Sequence, residues 1–145
     1  HYIYIYIYYI MSLINDSIII LISVLHVLVI LFVLLVPFSD NDALMFLHIL
    51  VVPFILIHWL TNNNKCCLST AEKHIRKIAH GTKSNTKDTF IYQFIAPIYD
   101  FNKNYESYSA FIYIVTVLLW SISMINLGRN INSGKVKSYN DLFKV

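Results

Sequence analysis

A chain of 145 residues has the length of one domain, and 57% of it is hydrophobic against 13% charged. A soluble domain carries about 25% charged residues, so this chain could not cover its own surface with polar groups in water. The net charge of +3 is mild, and the two cysteines, Cys66 and Cys67, are neighbours. Adjacent thiols do not close an unstrained disulfide, and without further ligands at the right spacing they do not make a zinc signature.

The segment from His1 to Ile10 reads HYIYIYIYYI. It lacks the charged start, apolar core and cleavage site of a signal peptide. Tyr and Ile codons both arise from a thymine–adenine repeat, so one reading is a mistranslated repeat or disordered leader, with Met11 as the true start. The other reading is an alternating β-strand.

Residues 18–38 form the first apolar run, broken only by Ser23 and His26. A bilayer core of about 30 Å needs ~20 residues of helix, so this run spans. Pro37 suits a helix about to stop. The connection Ser39-Asp40-Asn41-Asp42 is short enough to force the next run back antiparallel. Residues 44–60 are that second span, with Pro53 inside it and Trp59 at the far interface. Pro53 removes the hydrogen bond to the Ile49 carbonyl, which a membrane tolerates when a neighbour satisfies the freed oxygen.

Between spans, Ser69-Thr70-Ala71-Glu72 matches a capping box with Ser69 as N-cap and Glu72 reaching back. A helix over residues 70–80 follows, with Ala71, Ile75, Ile78 and Ala79 on one face and Lys73, Arg76 and Lys77 on the other. It lies on the membrane surface or packs on its own protein, and Gly81 ends it. Phe90 to Phe101 is apolar and aromatic but too short to span and interrupted by Pro97. It fits an interfacial or re-entrant segment. Residues 110–127 are the third span, with a polar stripe of Thr116, Ser121, Ser123 and Asn126. Such residues mark helix contacts in lipid. Tyr105, Tyr108 and Tyr113 form an aromatic belt at its start, and Gly128 ends it. The remainder, 129–145, is a polar tail, mobile until Tyr139 to Phe143.

The expected fold is therefore an all-α membrane protein: a helical hairpin plus a third span within residues 11–128, with a short amphipathic interfacial helix. Three spans place Lys65, Lys73, Arg76, Lys77, Lys83, Lys87 and Lys103 on one side. Arg129, Lys135, Lys137 and Lys144 fall on the other, with Asp40 and Asp42. The majority favours the central loop on the cytoplasmic side, and the basic tail pulls against it.

From Cys66 onward the sequence resembles a largely bacterial family of small three-pass membrane proteins of unknown function. The family signature Cys-Pro-Leu-Thr-x-Leu-Glu, then Leu-Arg, is matched by Cys66-Cys67-Leu68-Ser69-Thr70-Ala71-Glu72, then Ile75-Arg76. His26 with Phe32, Leu47-His48, Phe90-Ile91 and Pro97-Ile98-Tyr99 agree in order and spacing. Cys67 stands where the family has Pro, Ala71 where it has Leu, and Asn62-Asn63-Asn64 has no counterpart. The resemblance covers Ser17 to Gly128. The departures point to a distant branch, and the Ile-, Asn-, Lys- and Tyr-rich usage suggests an adenine–thymine-rich genome, that of a protist or a large virus. The resemblance implies a topology and no activity.

Three histidines fall in the spans: His26, His48 and His58. Ionisable groups inside membranes are functional candidates. Counted from Asn41, His26 lies fifteen residues before the turn and His58 seventeen after, so their depths differ by only ~3 Å. One reading has them ligate haem or a metal, and the other gives each one interhelical hydrogen bond. Cys66 and Cys67 are juxtamembrane, where thiols are either S-acylated or left unmodified. Asn15-Asp16-Ser17 fits a glycosylation pattern but abuts the first span. There is no phosphate loop, nucleophile elbow or pair of catalytic carboxylates, and the scattered Lys and Arg suit a membrane surface rather than nucleic acid.

The functional expectation is a non-enzymatic structural or accessory subunit, without cofactor, in contact with lipid and with other membrane subunits. The alternatives are a redox protein with haem or quinone between the first two helices and a small oligomeric transporter.

Overall fold

In the computed structural model, residues 2–80, 105–138 and 141–142 are described. These residues are helical with short connections: α1 Tyr2–Leu35, a 3-10 turn Val36–Phe38, α2 Asp42–Thr61, α3 Cys67–His80 and α4 Tyr105–Asn132. Among the described residues three helices are long and apolar enough to cross a membrane, through Tyr9–Phe38, Asp42–Thr61 and Ser109–Asn132. The expected hairpin plus third span is thus what the chain forms. The segment Phe90 to Phe101, the loop after Gly81 and the residues Lys83, Lys87, Lys103 and Lys144 lie outside the described residues.

The chain divides into two compact units, His1–Leu28 with Lys65–Lys103, and Val29–Asn64 with Asn104–Val145. In the first, Ile19, Ile22 and His26 recur at helical spacing and are buried, as is Glu72 of α3. In the second, α2 turns Asp42, Met45, His48 and Val52 inward, and α4 buries Thr116, Leu119, Ser123 and Leu127. Both sets repeat every three or four residues, as a single helix face must. The expected polar stripe on the third span is largely this inward face, with Asn126 half-buried beside it. Ser121 instead returns its hydroxyl to the Val117 carbonyl of its own helix.

Several boundaries differ from expectation. Helix α1 begins at Tyr2, well before residue 18, so the Tyr-Ile repeat is helical rather than a strand. Alternation alone does not make a strand. A lone strand leaves its backbone groups unpaired, whereas a helix satisfies them internally. Ser17 lies inside this helix and bonds the Leu13 carbonyl. Helix α2 starts with Asn41, whose side chain accepts from Leu44 N–H at 3.0 Å. It stops at Asn62, and Asn63 and Asn64 follow at φ 50 and 60. Asparagine tolerates this left-handed backbone better than other non-glycine residues, so the Asn run is a helix stop.

Gly128 does not end the third span. Helix α4 runs through it to Asn132, and Gly134 at φ +77 is the terminator. Gly134 N–H bonds the Ile131 carbonyl and Lys135 N–H bonds the Asn130 carbonyl, both at 3.0 Å. This pair of bonds is the Schellman closure, which needs a left-handed residue. The two glycines should therefore respond oppositely to alanine. A Cβ at Gly128 meets nothing within 4 Å, so Gly128→Ala should raise stability by up to ~1 kcal/mol through helix propensity. Gly134→Ala should lower it by about 1 kcal/mol through the left-handed penalty. Thermal unfolding in detergent checks both, and equal effects would reject this assignment of the stop.

The tail is packed where it is described. Val136 and Leu142 join Met45 and Leu127 in a buried cluster flanked by Phe46 and Ile49. Asp141 accepts from the backbone N–H groups of Lys137 and Ser138 and fixes the turn between them. Here the expectation of a mobile tail fails, because two apolar side chains find a core at the start of α2.

Candidate functional site

The polar residues of the second unit sit where prolines have opened the helical hydrogen bonding. The carbonyl of residue i in an α-helix accepts from N–H of i+4, and proline has no N–H. Pro37 thus deprives Val33, and Pro53 deprives Ile49. Each carbonyl receives a ring N–H from another helix instead. His48 Nε2 lies 3.3 Å from Val33 O, and Trp120 Nε1 donates to Ile49 O at 3.0 Å. The Pro37 carbonyl in turn accepts from Asn126 Nδ2 at 3.0 Å. The expectation that a neighbour would satisfy Ile49 therefore holds, and Trp120 is the donor.

His48 is fully buried, as is Ser123. Its Nδ1 meets Ser123 Oγ at 3.0 Å, and Phe32 lies tilted against the ring at 5.4 Å. Because Val33 O can only accept, Nε2 carries the proton and donates. Nδ1 then accepts from the Ser123 hydroxyl. One neutral imidazole thus ties the end of α1, the middle of α2 and the middle of α4. Its two nitrogens are both engaged, so of the two readings for this residue the interhelical hydrogen bond is the one its contacts fit.

The Trp120 bond can be tested through its proline. Trp120→Phe leaves the Ile49 carbonyl without a donor and should cost about 1 kcal/mol. In a Pro53→Ala background residue 53 regains an N–H, and the same substitution should cost measurably less. An unchanged cost would reject the pairing of proline with tryptophan.

At the turn end, Asp42 is buried and accepts from Asn130 Nδ2, while Lys135 Nζ reaches its other oxygen at 3.0 Å. Lys135 also bonds the Asp40 carbonyl at 3.4 Å. Lys135 of the tail is thus paired with the acidic turn. At the opposite end of α2, Trp59 and Tyr113 meet edge-on at 5.9 Å, and Tyr113 OH donates to Asn64 Oδ1 at 2.8 Å. His58 lies in the last turn of α2, and its Nε2 is buried with no hydrogen-bond partner among the described residues.

The first unit holds a second cluster. His26 is buried, with its Nε2 3.5 Å from Cys66 Sγ and 3.4 Å from Ser69 Oγ. Its Nδ1 has no partner among the described residues. The Glu72 carboxylate is near enough to act on the ring electrostatically. Glu72 is itself fully buried and takes Arg76 Nη2 at 2.9 Å and Nε at 3.0 Å on one oxygen.

This arrangement corrects the capping box. Helix α3 starts at Cys67, with Thr70 N–H bonded to the Cys66 carbonyl, so Ser69 lies within the first turn instead of capping it. The Ser69 hydroxyl turns to His26, and the Glu72 side chain runs forward to Arg76. The inward face is rotated as well. Glu72 faces in, whereas Ala71 and Ile78 are exposed. A buried carboxylate is tolerable there because Arg76, four residues on, neutralises it. Cys66 is half-buried and Cys67 exposed, both as free thiols. Burial pushes the Cys66 thiol up, and the N–H groups of Ser69 and Leu68 directed at the sulfur pull the other way more weakly.

Among the described residues no group of three or more His, Cys, Asp or Glu is placed to hold a metal ion. Missed from the sequence were the roles of Val33, Trp120, Asp42 and Lys135. The position four before each proline was the available signal for Val33. No protein-family model matches this chain, and no curated protein or solved structure matches it either.

Proposed function

We propose that this chain is a non-enzymatic structural or accessory subunit of a membrane assembly, working through helix packing. The observation that carries the reading is His48, whose two ring nitrogens are both occupied in joining helices. Ser123, Trp120 and Asn126 of the second unit are used in the same way, to join helices. The outward faces are apolar: Leu50, Phe54, Ile57, Ile114 and Leu118 are all exposed. Such faces suit lipid and the flanks of other transmembrane helices. The resemblance to small three-pass membrane proteins supports the same topology and adds no activity.

The test is purification of the full chain from membranes in mild detergent, with crosslinking, mass spectrometry and an absorbance spectrum. The expected result is a hetero-assembly without a Soret band. A closed homo-oligomer would replace this reading with transport. A Soret band lost on His58→Ala would replace it with redox chemistry, for which the open Nε2 of His58 is the ligand to examine.

A further inference from the structure

The His26 and Cys66 cluster brings an imidazole and a thiol together at the start of α3. Its chemistry is that of a nucleophile and a base. Cys66 Sγ lies at the start of α3, with the Leu68 and Ser69 N–H groups directed at it. The His26 Nε2 is 3.5 Å away. Partial positive charge at a helix start stabilises a thiolate, and a neighbouring imidazole can take the thiol proton. The resting group is the thiol, because burial disfavours its charged form, so reaction depends on a base. Cys67, one residue on, is exposed, and among the described residues no imidazole is bonded to it.

The surroundings select the electrophile. Along α1 beside His26, Ile18, Leu21, Leu25 and Leu28 form an exposed aliphatic stripe at helical spacing. A reagent reaching Cys66 along this face must be apolar over most of its length and carry its electrophilic carbon at one end. A long-chain acyl thioester has that form. We infer that Cys66 is a self-acylating site, with His26 as general base and a long-chain acyl thioester as donor.

The Cys66 proton passes to His26 Nε2 as the sulfur attacks the thioester carbonyl. A new sulfur–carbon bond forms, and the donor's carbon–sulfur bond breaks. The departing thiolate takes the proton back from the imidazolium. Nothing is oxidised or reduced. The Nδ1 atom carries the ring proton at rest, and Glu72 nearby stabilises the imidazolium. The acyl chain then lies against the α1 stripe, anchoring the start of α3 to the bilayer.

The test uses the full chain in phosphatidylcholine vesicles with alkyne-tagged palmitoyl-coenzyme A. Label is read as the fraction that hydroxylamine removes, and its position by mass spectrometry. Label should appear on Cys66, survive Cys67→Ala and vanish in Cys66→Ala. In His26→Gln its rate should fall roughly 100-fold, the contribution of a placed general base. The unaltered protein supplies an independent readout that does not depend on that variant folding. With an imidazole base the rate levels off well below the pKa of the thiol, whereas an unassisted thiol gains about tenfold per pH unit up to its own pKa. Label on Cys67 alone, an unchanged rate in a folded His26→Gln protein, a thiol-type pH profile, or no label on the wild-type chain would each overturn the inference.

Discussion

His48→Ala is expected to destabilise the protein by about 3 kcal/mol, the cost of a large side chain removed from a packed site together with its hydrogen bonds. The substitution leaves the Val33 carbonyl without a donor, since Pro37 supplies none. It also strands Ser123, whose hydroxyl is fully buried. A double-mutant cycle separates these effects. Ser123→Ala alone should cost about 1 kcal/mol, and the coupling between the two sites should be similar, within the range measured for hydrogen bonds between membrane helices. Reversible unfolding in mixed micelles gives the four values. Strict additivity would mean that His48 and Ser123 act separately, against the bond at 3.0 Å.

The second large effect is expected at Asp42. Its side chain is 9% exposed, and its partner Lys135 is 51% exposed. The ion pair with a half-exposed lysine contributes little by itself because solvent screens it. The buried carboxylate also accepts from Asn130 and sits in the first turn of α2, where a negative charge is favoured. Together these give a loss of about 2 kcal/mol for Asp42→Ala. The substitution should also free the tail. Lys135 and Lys137 then become rapid trypsin sites while α2 and α4 stay protected. A tail equally resistant in both proteins would show that Val136 and Leu142 hold it without the carboxylate.

Much of this architecture is legible in the sequence because apolar runs of spanning length, a four-residue polar turn and a stripe at helical spacing all follow from backbone physics. The existence of α1, α2, α3 and α4 follows from those patterns, and so does the contact face of α4. Boundaries were harder. Gly128 and Gly134 are the same residue type, and what distinguishes them is whether the chain has a partner to turn toward, here the core around Met45. Ser69 and Glu72 have the spacing of a capping box, yet the helix gains another turn's worth of start because Cys66 and Ser69 are drawn to His26. Local patterns state what a segment can do; a buried imidazole forty residues away in sequence decides which option is taken. His26 and His48 were identifiable as unusual residues in spans, but their partners, a backbone oxygen and three small side chains, carry no mark of their own.

The proline-freed carbonyls set an order of events during synthesis. The Val33 oxygen loses its partner as soon as Pro37 enters the chain, and His48 follows only eleven residues later. The hairpin can therefore seal its own defect while the rest of the protein is still being made. The Ile49 oxygen must wait for Trp120, sixty-seven residues after Pro53. Until then it is an unshielded dipole inside a nonpolar medium, which has to be held by water or by the insertion machinery. The half-made protein thus carries an open acceptor at Ile49, which closes when Trp120 of α4 arrives.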